Sequence, residues 1–162
     1  EWGADGVVIG GLRDNGTVDV TRCARLIDLA RPMAVTFNRA FDLCSDAHVA
    51  LEELIDLGVD YVLTSGQAAT AHEGRDLLRQ LVDVATGRLT VLAGAGINEQ
   101  NVGELVRHSG VQELHFSARS TCHVVKAVRQ VNMGSDANAD LVRDETDPGR
   151  VQAIMHAARS VA

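Results

Sequence analysis

The stretch Val35–Asp42, VTFNRAFD, decides how the chain folds, because it changes character halfway along. Its first three residues are β-branched or aromatic, which predicts a buried strand. Asn38, Arg39 and Asp42 then follow within five positions, so this strand ends in polar and charged side chains. In parallel α/β folds, ligands bind at the carboxyl ends of the strands. The stretch therefore predicts a core strand that leads into the edge of a binding site.

The order of strand, polar turn and amphipathic helix recurs on both sides of this stretch. Asp19 and Asp46 precede helices whose apolar residues recur every three or four positions. Asp147 followed by Pro148 predicts the start of the last helix. The stretch 120–145 is polar and predicts no regular element. Five strand segments alternate with the helices: Gly6–Gly11, Met33–Phe37, Asp60–Gly66, Arg88–Gly96 and Gln112–Arg119.

This alternation predicts an α/β fold in which helices cover a parallel sheet. Two architectures fit the pattern, an open doubly wound sheet and part of a TIM (β/α)8 barrel. A whole barrel needs about 250 residues, whereas the chain has 162. We expect a single domain over residues 1–162, which would be an incomplete barrel if the second architecture holds.

Composition argues against several classes of function. The chain has 15 Lys and Arg residues against 22 Asp and Glu residues, a formal net charge of −7. A nucleic-acid partner needs clustered basic residues, so none is expected. No apolar run reaches the ~18 residues of a membrane span, and no signal peptide is recognisable. The first residues, EWGADG, resemble a helix end that leads into a strand, so we expect the chain to begin inside a longer protein.

The cysteines Cys23, Cys44 and Cys122 are far apart and odd in number. They predict no disulfide framework and favour a reducing compartment, the cytoplasm. No CxxC or HExxH motif predicts a zinc site. Cys44 follows the polar end of the second strand and has the sulfur that soft metals prefer. A small buried apolar residue is the simpler interpretation of Cys44.

Polar and small residues occur at the ends of four of the five strands. They are Arg39 and Asp42, then Thr64, Ser65 and Gly66, then Gly94 and Gly96, and finally His115, Ser117 and Arg119. Side-chain alternation places Glu113, His115 and Ser117 on one face of the last strand, the face that we expect to line a barrel interior or a site. Four strand ends that share this character predict a ligand site more specifically than any one motif does.

The chemistry of these residues predicts a small anionic ligand that bears phosphate or carboxylate. Backbone N–H groups at Gly94 and Gly96 can face an anion, and Arg39 or Arg119 can add a bidentate guanidinium group. His115 or Asp42 would then move a proton. Three structural alternatives stay open: tight helix packing for the glycines, an ion pair that seals the strand end for Arg39 and Asp42, and a core imidazole for His115.

The segments GADGVVIGGL, RPMAVTFNRAFD, YVLTSGQAATAHEG, LAGAGINEQN and ELHFSARS resemble successive blocks of the CutC copper homeostasis protein family. The resemblance covers nearly all 162 residues in order. It implies a (β/α)8 barrel of which the fourth to eighth strands are present, and a role in copper tolerance or Cu(I) binding. By this resemblance the rim and barrel positions are Arg39, Asp42, Thr64, Ser65, Gly66, Gly94, Gly96, Glu113, His115, Ser117 and Arg119.

The sequence departs from the family pattern in two ways. The family's first three strands are absent, together with the early cysteines on which its copper binding mainly rests. Asn38 occupies a position where the family motif usually reads VTFHRAFD, with a His. Five strands of a barrel would leave two unpaired edges and an exposed interior face. We therefore expect the chain alone to be poorly soluble or a homo-oligomer, and an inactive truncated remnant is a further interpretation.

Overall fold

The structure is a computed structural model that describes residues 3–123 and 142–161. Its main sheet is parallel and follows the order of the sequence. The strands are β1 (Gly6–Ile9), β2 (Ala34–Phe37), β3 (Tyr61–Thr64), β4 (Thr90–Gly94) and β5 (Glu113–His115). The helices are α1 (Val20–Ala30), α2 (Ala47–Asp56), α3 (Arg75–Ala85), α4 (Val102–Ser109) and α5 (Pro148–Arg159), and a 3-10 helix (Arg39–Leu43) follows β2. The predicted α/β class with a parallel sheet is confirmed.

The helices begin largely where side-chain caps predict. The Asp19 carboxylate accepts a hydrogen bond from the backbone N–H of Arg22, and Asp46 and Asp147 cap α2 and α5 in the same manner. Such caps satisfy N–H groups that have no partner inside the helix. α4 begins at Val102, after a turn in which Asn98 Oδ1 accepts from the N–H of Asn101 at 3.1 Å.

Helices cover one face of the sheet and leave the other open within the described residues. Val35, Phe37 and Val62 are fully buried on the covered face. Val8 on the opposite face is 67% exposed, and Glu113 and His115 are exposed as well. β1 and β5 form the two edges of this sheet. No helix in residues 3–123 and 142–161 has both the length and the hydropathy needed to cross a membrane.

The end of the predicted fifth strand requires a correction. β5 spans only residues 113–115, and the chain then turns at Ala118, whose φ is +46°. Arg119 belongs to a different strand, β6 (Arg119–His123), which pairs antiparallel with β7 (Val142–Thr146). The prediction of no regular element over 120–145 is therefore wrong at both ends, and its middle lies outside the described residues.

Candidate functional site

The polar end of β2 is organised by Asn38, which begins the 3-10 helix. Its backbone N–H donates to the carbonyl oxygen of Ile9 at 2.8 Å and so ties β2 to β1. Its side-chain Oδ1 accepts from the N–H of Ala40 at 2.9 Å. A Cβ at Gly10 would overlap the Asn38 amide, so a larger residue there would displace this cap. Asn38 is thus a helix cap, and the chain leaves the strand direction at Arg39.

The 3-10 helix directs Asp42 toward the loop that follows β3. Asp42 Oδ1 accepts from Thr64 Oγ1 at 2.5 Å and from the backbone N–H groups of Ser65 and Gln67 at 3.0 and 3.2 Å. The Asp42 side chain is only 8% exposed. Two successive strand ends are therefore joined through one buried carboxylate.

Arg39 completes this cluster from the solvent side. Its Nε donates to Asp42 Oδ2 at 2.7 Å, and its Nη2 donates to Ser65 Oγ at 2.8 Å. Ser65 Oγ also lies 3.0 Å from Asp42 Oδ2 and 2.7 Å from the carbonyl oxygen of Ala68. The Arg39 side chain is 45% exposed. Both oxygens of Asp42 thus have donors from more than one direction.

The hydrogen bonds decide the ionisation of Asp42. Burial on its own raises the pKa of this carboxyl group, but the hydrogen bonds from Thr64, Arg39, Gln67 and Ser65 together outweigh burial, so the pKa lies below the ordinary 3.8. A carboxylate with a low pKa and occupied acceptor positions is a weak general base. The geometry favours the structural ion pair for Arg39 and Asp42, and a catalytic role for Asp42 stays a prediction.

The loop after β3 folds back on itself through two glycines. Gly66 has φ of +71°, and its N–H donates to Thr64 Oγ1 at 2.9 Å. A Cβ at Gly74 would overlap the carbonyl oxygen of Ser65 and lie 2.8 Å from that of Gly66. The backbone segments therefore touch directly, which holds Thr64 and Ser65 in place beneath Asp42.

The fourth and fifth strand ends form a separate group. Gly94 pairs with His115 in the sheet, and a Cβ at Gly94 would lie 2.6 Å from Leu63 Cδ1 and 3.6 Å from His115 Cβ. His115 is exposed on the open face of the sheet, so the described residues do not enclose it as a core imidazole. Gly96, with φ of +67°, packs against Thr70, where a Cβ would come within 2.7 Å of a methyl group.

The structure thus assembles part of the predicted site. Arg39, Asp42, Thr64 and Ser65 form one hydrogen-bonded cluster, and Gly66 shapes its loop. Within the described residues, no hydrogen bond links the side chains of Ser117 or Arg119 to this cluster. Sequence reasoning missed Gln67, whose N–H binds Asp42 while its Nε2 donates to the carbonyl oxygen of Cys44 at 2.8 Å. Only its place directly after Ser65 and Gly66 hinted at a role.

Comparison with known proteins decides the family. The CutC family model matches residues 1–120. The chain belongs to the CutC family. A family protein CutC from Histophilus somni is 50% identical over 155 residues, which are 95% of this chain and 64% of that relative. One from Bacteroides fragilis is 52% identical over 121 residues, 75% of this chain and 48% of the relative. The chain spans about half to two thirds of the length of these curated CutC relatives.

A solved structure is similar to this fold over part of its length. The crystal structure is of a protein from Streptococcus agalactiae whose assignment as a copper homeostasis protein CutC is provisional. Its TM-score is 0.66 at 25% sequence identity, and the match covers 70% of this chain and 56% of that one. The five-stranded sheet therefore resembles part of a CutC fold, which supports the partial barrel. The assignment of its strands as the fourth to eighth stays a prediction.

The described CutC residues do not fit a copper site. Burial is the main cause that raises the pKa of the Cys44 thiol to about 11, and Glu53 and Asp42 raise it further. Burial first, and Asp19 next, also raise the pKa of Cys23. Cu(I) prefers soft sulfur ligands, and a thiol must lose its proton to bind a metal. Within residues 3–123 and 142–161, no three His, Cys, Asp or Glu side chains are grouped to hold a metal.

Proposed function

We propose that this CutC chain is a portion of a copper homeostasis protein. Its membership of the family carries the proposal: the family model matches residues 1–120 and the Histophilus somni relative is 50% identical. The described residues would then supply the scaffold and rim of the fold rather than the copper ligands. This division agrees with the resemblance, which assigns copper binding mainly to cysteines of the early strands.

Competition for Cu(I) against a chromophoric chelator tests this role. We expect the longer Histophilus somni relative to take Cu(I) from the chelator. We expect this chain to bind no more tightly than its Cys23→Ser, Cys44→Ser, Cys122→Ser triple variant, because the described residues group none of these cysteines with two further metal ligands. Failure of the longer relative to compete would refute copper binding. Tight binding that the triple variant loses would place copper on these cysteines.

A second candidate function is the binding of a small anionic ligand at the rim of the sheet. Arg39 Nη1 makes no hydrogen bond within the described residues, although Nε and Nη2 are engaged. The backbone N–H groups of Gly96 and Ile97 likewise have no partner there. Arg119 would add a second cation. These donors support a phosphate- or carboxylate-bearing ligand, with His115 on the open face as the candidate proton carrier.

A thermal-shift screen of phosphorylated and carboxylated metabolites tests this candidate at constant ionic strength. We expect at least one anion to raise the melting temperature of the chain and Arg119→Gln to reduce that shift. Arg25→Gln on the exposed side of α1 is the matched control and should leave the shift unchanged. Shifts no larger than those of chloride would count against the anionic ligand, as would equal effects of the two variants.

Three other expectations from the sequence stay predictions. They are the cytoplasmic location, the single domain over residues 1–162 and self-association of the chain when it is produced alone. The sheet edges at β1 and β5 and the exposed Val8 support self-association, because unpaired strands and apolar surface favour contact between chains. An inactive remnant is the interpretation that remains if neither copper nor an anion binds.

A further inference from the structure

The carboxylate of Asp42 is held by donors that would suit a free carboxylate equally well. Oδ1 faces Thr64 Oγ1 and the N–H groups of Ser65 and Gln67, while Oδ2 faces Arg39 Nε and the same Ser65 N–H. We propose that Thr64, Ser65, Gln67 and Arg39 form a carboxylate-binding cradle, and that Asp42 is its built-in occupant. The cradle uses neither the rim donors at Gly96 and Ile97 nor the cysteine thiols.

Contacts that do not involve Asp42 hold the cradle in shape. Ser65 Oγ lies 2.7 Å from the carbonyl oxygen of Ala68, and Gln67 Nε2 donates to that of Cys44 at 2.8 Å. The backbone contact between Gly66 and Gly74 fixes the turn from below. The donors should therefore stay oriented when the Asp42 carboxylate is removed, and preorganised donors bind a ligand at lower cost.

The geometry selects the chemical class of the ligand. The donors reach both carboxylate oxygens, and the Ser65 N–H lies 3.0 and 3.1 Å from Oδ1 and Oδ2, which suits a planar group with two oxygens. The side chain of Asp42 is 8% exposed, so little room exists beyond the group that it supplies. Replacing Asp42 by alanine removes one carboxylate, and formate is the free anion of that shape. A tetrahedral phosphate is larger than the space that this substitution opens.

The pair of Glu52 and Arg88 supplies a matched control. Arg88 Nη1 and Nη2 donate to the two oxygens of Glu52 at 2.9 and 2.8 Å, so a carboxylate and a guanidinium group meet there as well. Both side chains are 46% exposed, and the described residues add no backbone N–H or hydroxyl donor to Glu52. This pair has the charges of the cradle without its preorganised donors.

Thermal unfolding of the Asp42→Ala chain in formate, against chloride at equal ionic strength, tests the cradle. We expect formate to stabilise this variant in a saturable manner. At ten times its dissociation constant, formate should shift the folding equilibrium about elevenfold, which is about 1.4 kcal/mol. Wild type, Asp42→Asn and Glu52→Ala should respond to formate no more than to chloride, because their cradle is filled or absent.

A second substitution tests whether the cradle donors carry the effect of formate. Adding Thr64→Val removes one cradle donor and should raise the formate concentration needed for half of the effect at least fivefold. If Asp42→Ala can be obtained only by refolding it from denaturant, a higher yield of folded protein in formate than in chloride would support the cradle. Equal stabilisation by formate and chloride would overturn it, as would equal stabilisation by phosphate or rescue of Glu52→Ala.

Discussion

Asp42→Asn should lower the free energy of unfolding of this CutC chain by about 2–4 kcal/mol, since hydrogen bonds to a charged group contribute about 1.5–3 kcal/mol each. The amide is neutral, and its NH₂ group must face a donor: Arg39 Nε on one side or Thr64 Oγ1 on the other. Asparagine keeps the size of the side chain and opens no cavity. The decrease in unfolding free energy therefore measures the loss of the charge and of one acceptor oxygen. Urea unfolding monitored by circular dichroism measures the change.

Glu52→Gln is the control for this substitution. It neutralises a carboxylate that is also paired with an arginine, but both side chains are 46% exposed, so we expect a much smaller change. Equal losses for the two variants would contradict the role of Asp42, because a simple change in net charge would then explain both.

The pH dependence gives an independent check on Asp42. The pKa of this group in the folded chain lies below the ordinary 3.8, so the unfolded chain binds its proton first as pH falls. The stabilisation by Asp42 is therefore fully present above the ordinary pKa and is lost as pH falls through the lower folded value. The difference in unfolding free energy between wild type and Asp42→Asn should be constant near neutral pH and should shrink below about pH 4. A difference that persists unchanged in acid would show that ionisation plays no part.

The elements of the fold were predictable because their signals are local. The caps at Asp46 and Asp147 act on N–H groups two and three positions away. The buried side chains of β2, Val35 and Phe37, alternate at the spacing of a strand. Such signals do not depend on distant parts of the chain, so a sequence alone can carry them.

The cradle was only partly predictable because it depends on contacts between distant positions. The carboxylate of Asp42 meets the N–H of Ser65 and that of Gln67 across 23 and 25 positions. The sequence placed Arg39, Asp42 and Ser65 at neighbouring strand ends, but for Gln67 it gave no more than a position directly after Ser65 and Gly66. Alternation along β2 could not place Arg39 either, because the Asn38 cap turns the chain into a 3-10 helix there.

Gly74→Ala should destabilise the chain by about 3 kcal/mol, at the upper end of the usual cost of inserting a methyl group into a packed region. Gly74 has a φ of −85°, so alanine meets no backbone strain of its own. The new Cβ would overlap the carbonyl oxygen of Ser65 and lie 2.8 Å from that of Gly66. These obstacles are backbone atoms, which cannot rotate away as a flexible side chain can. Relief requires the loop to move, and that movement displaces Ser65 from Asp42.

Gly103→Ala in α4 separates this clash from a general effect of adding a methyl group. Its nearest neighbours would be the carbonyl oxygen of Ala157 at 3.6 Å and a methyl group of Val161 at 3.7 Å, which are ordinary contacts. Gly103 is the second residue of α4, where alanine gains less than the ~0.5–1 kcal/mol by which it is favoured over glycine in a helix interior, so this variant should be at least as stable as wild type. Urea unfolding of both variants measures the change in unfolding free energy, which should be a clear loss for Gly74→Ala and no loss for Gly103→Ala. If Gly74→Ala were as stable as wild type, the turn would yield to a methyl group, and the preorganised cradle would lose its main support.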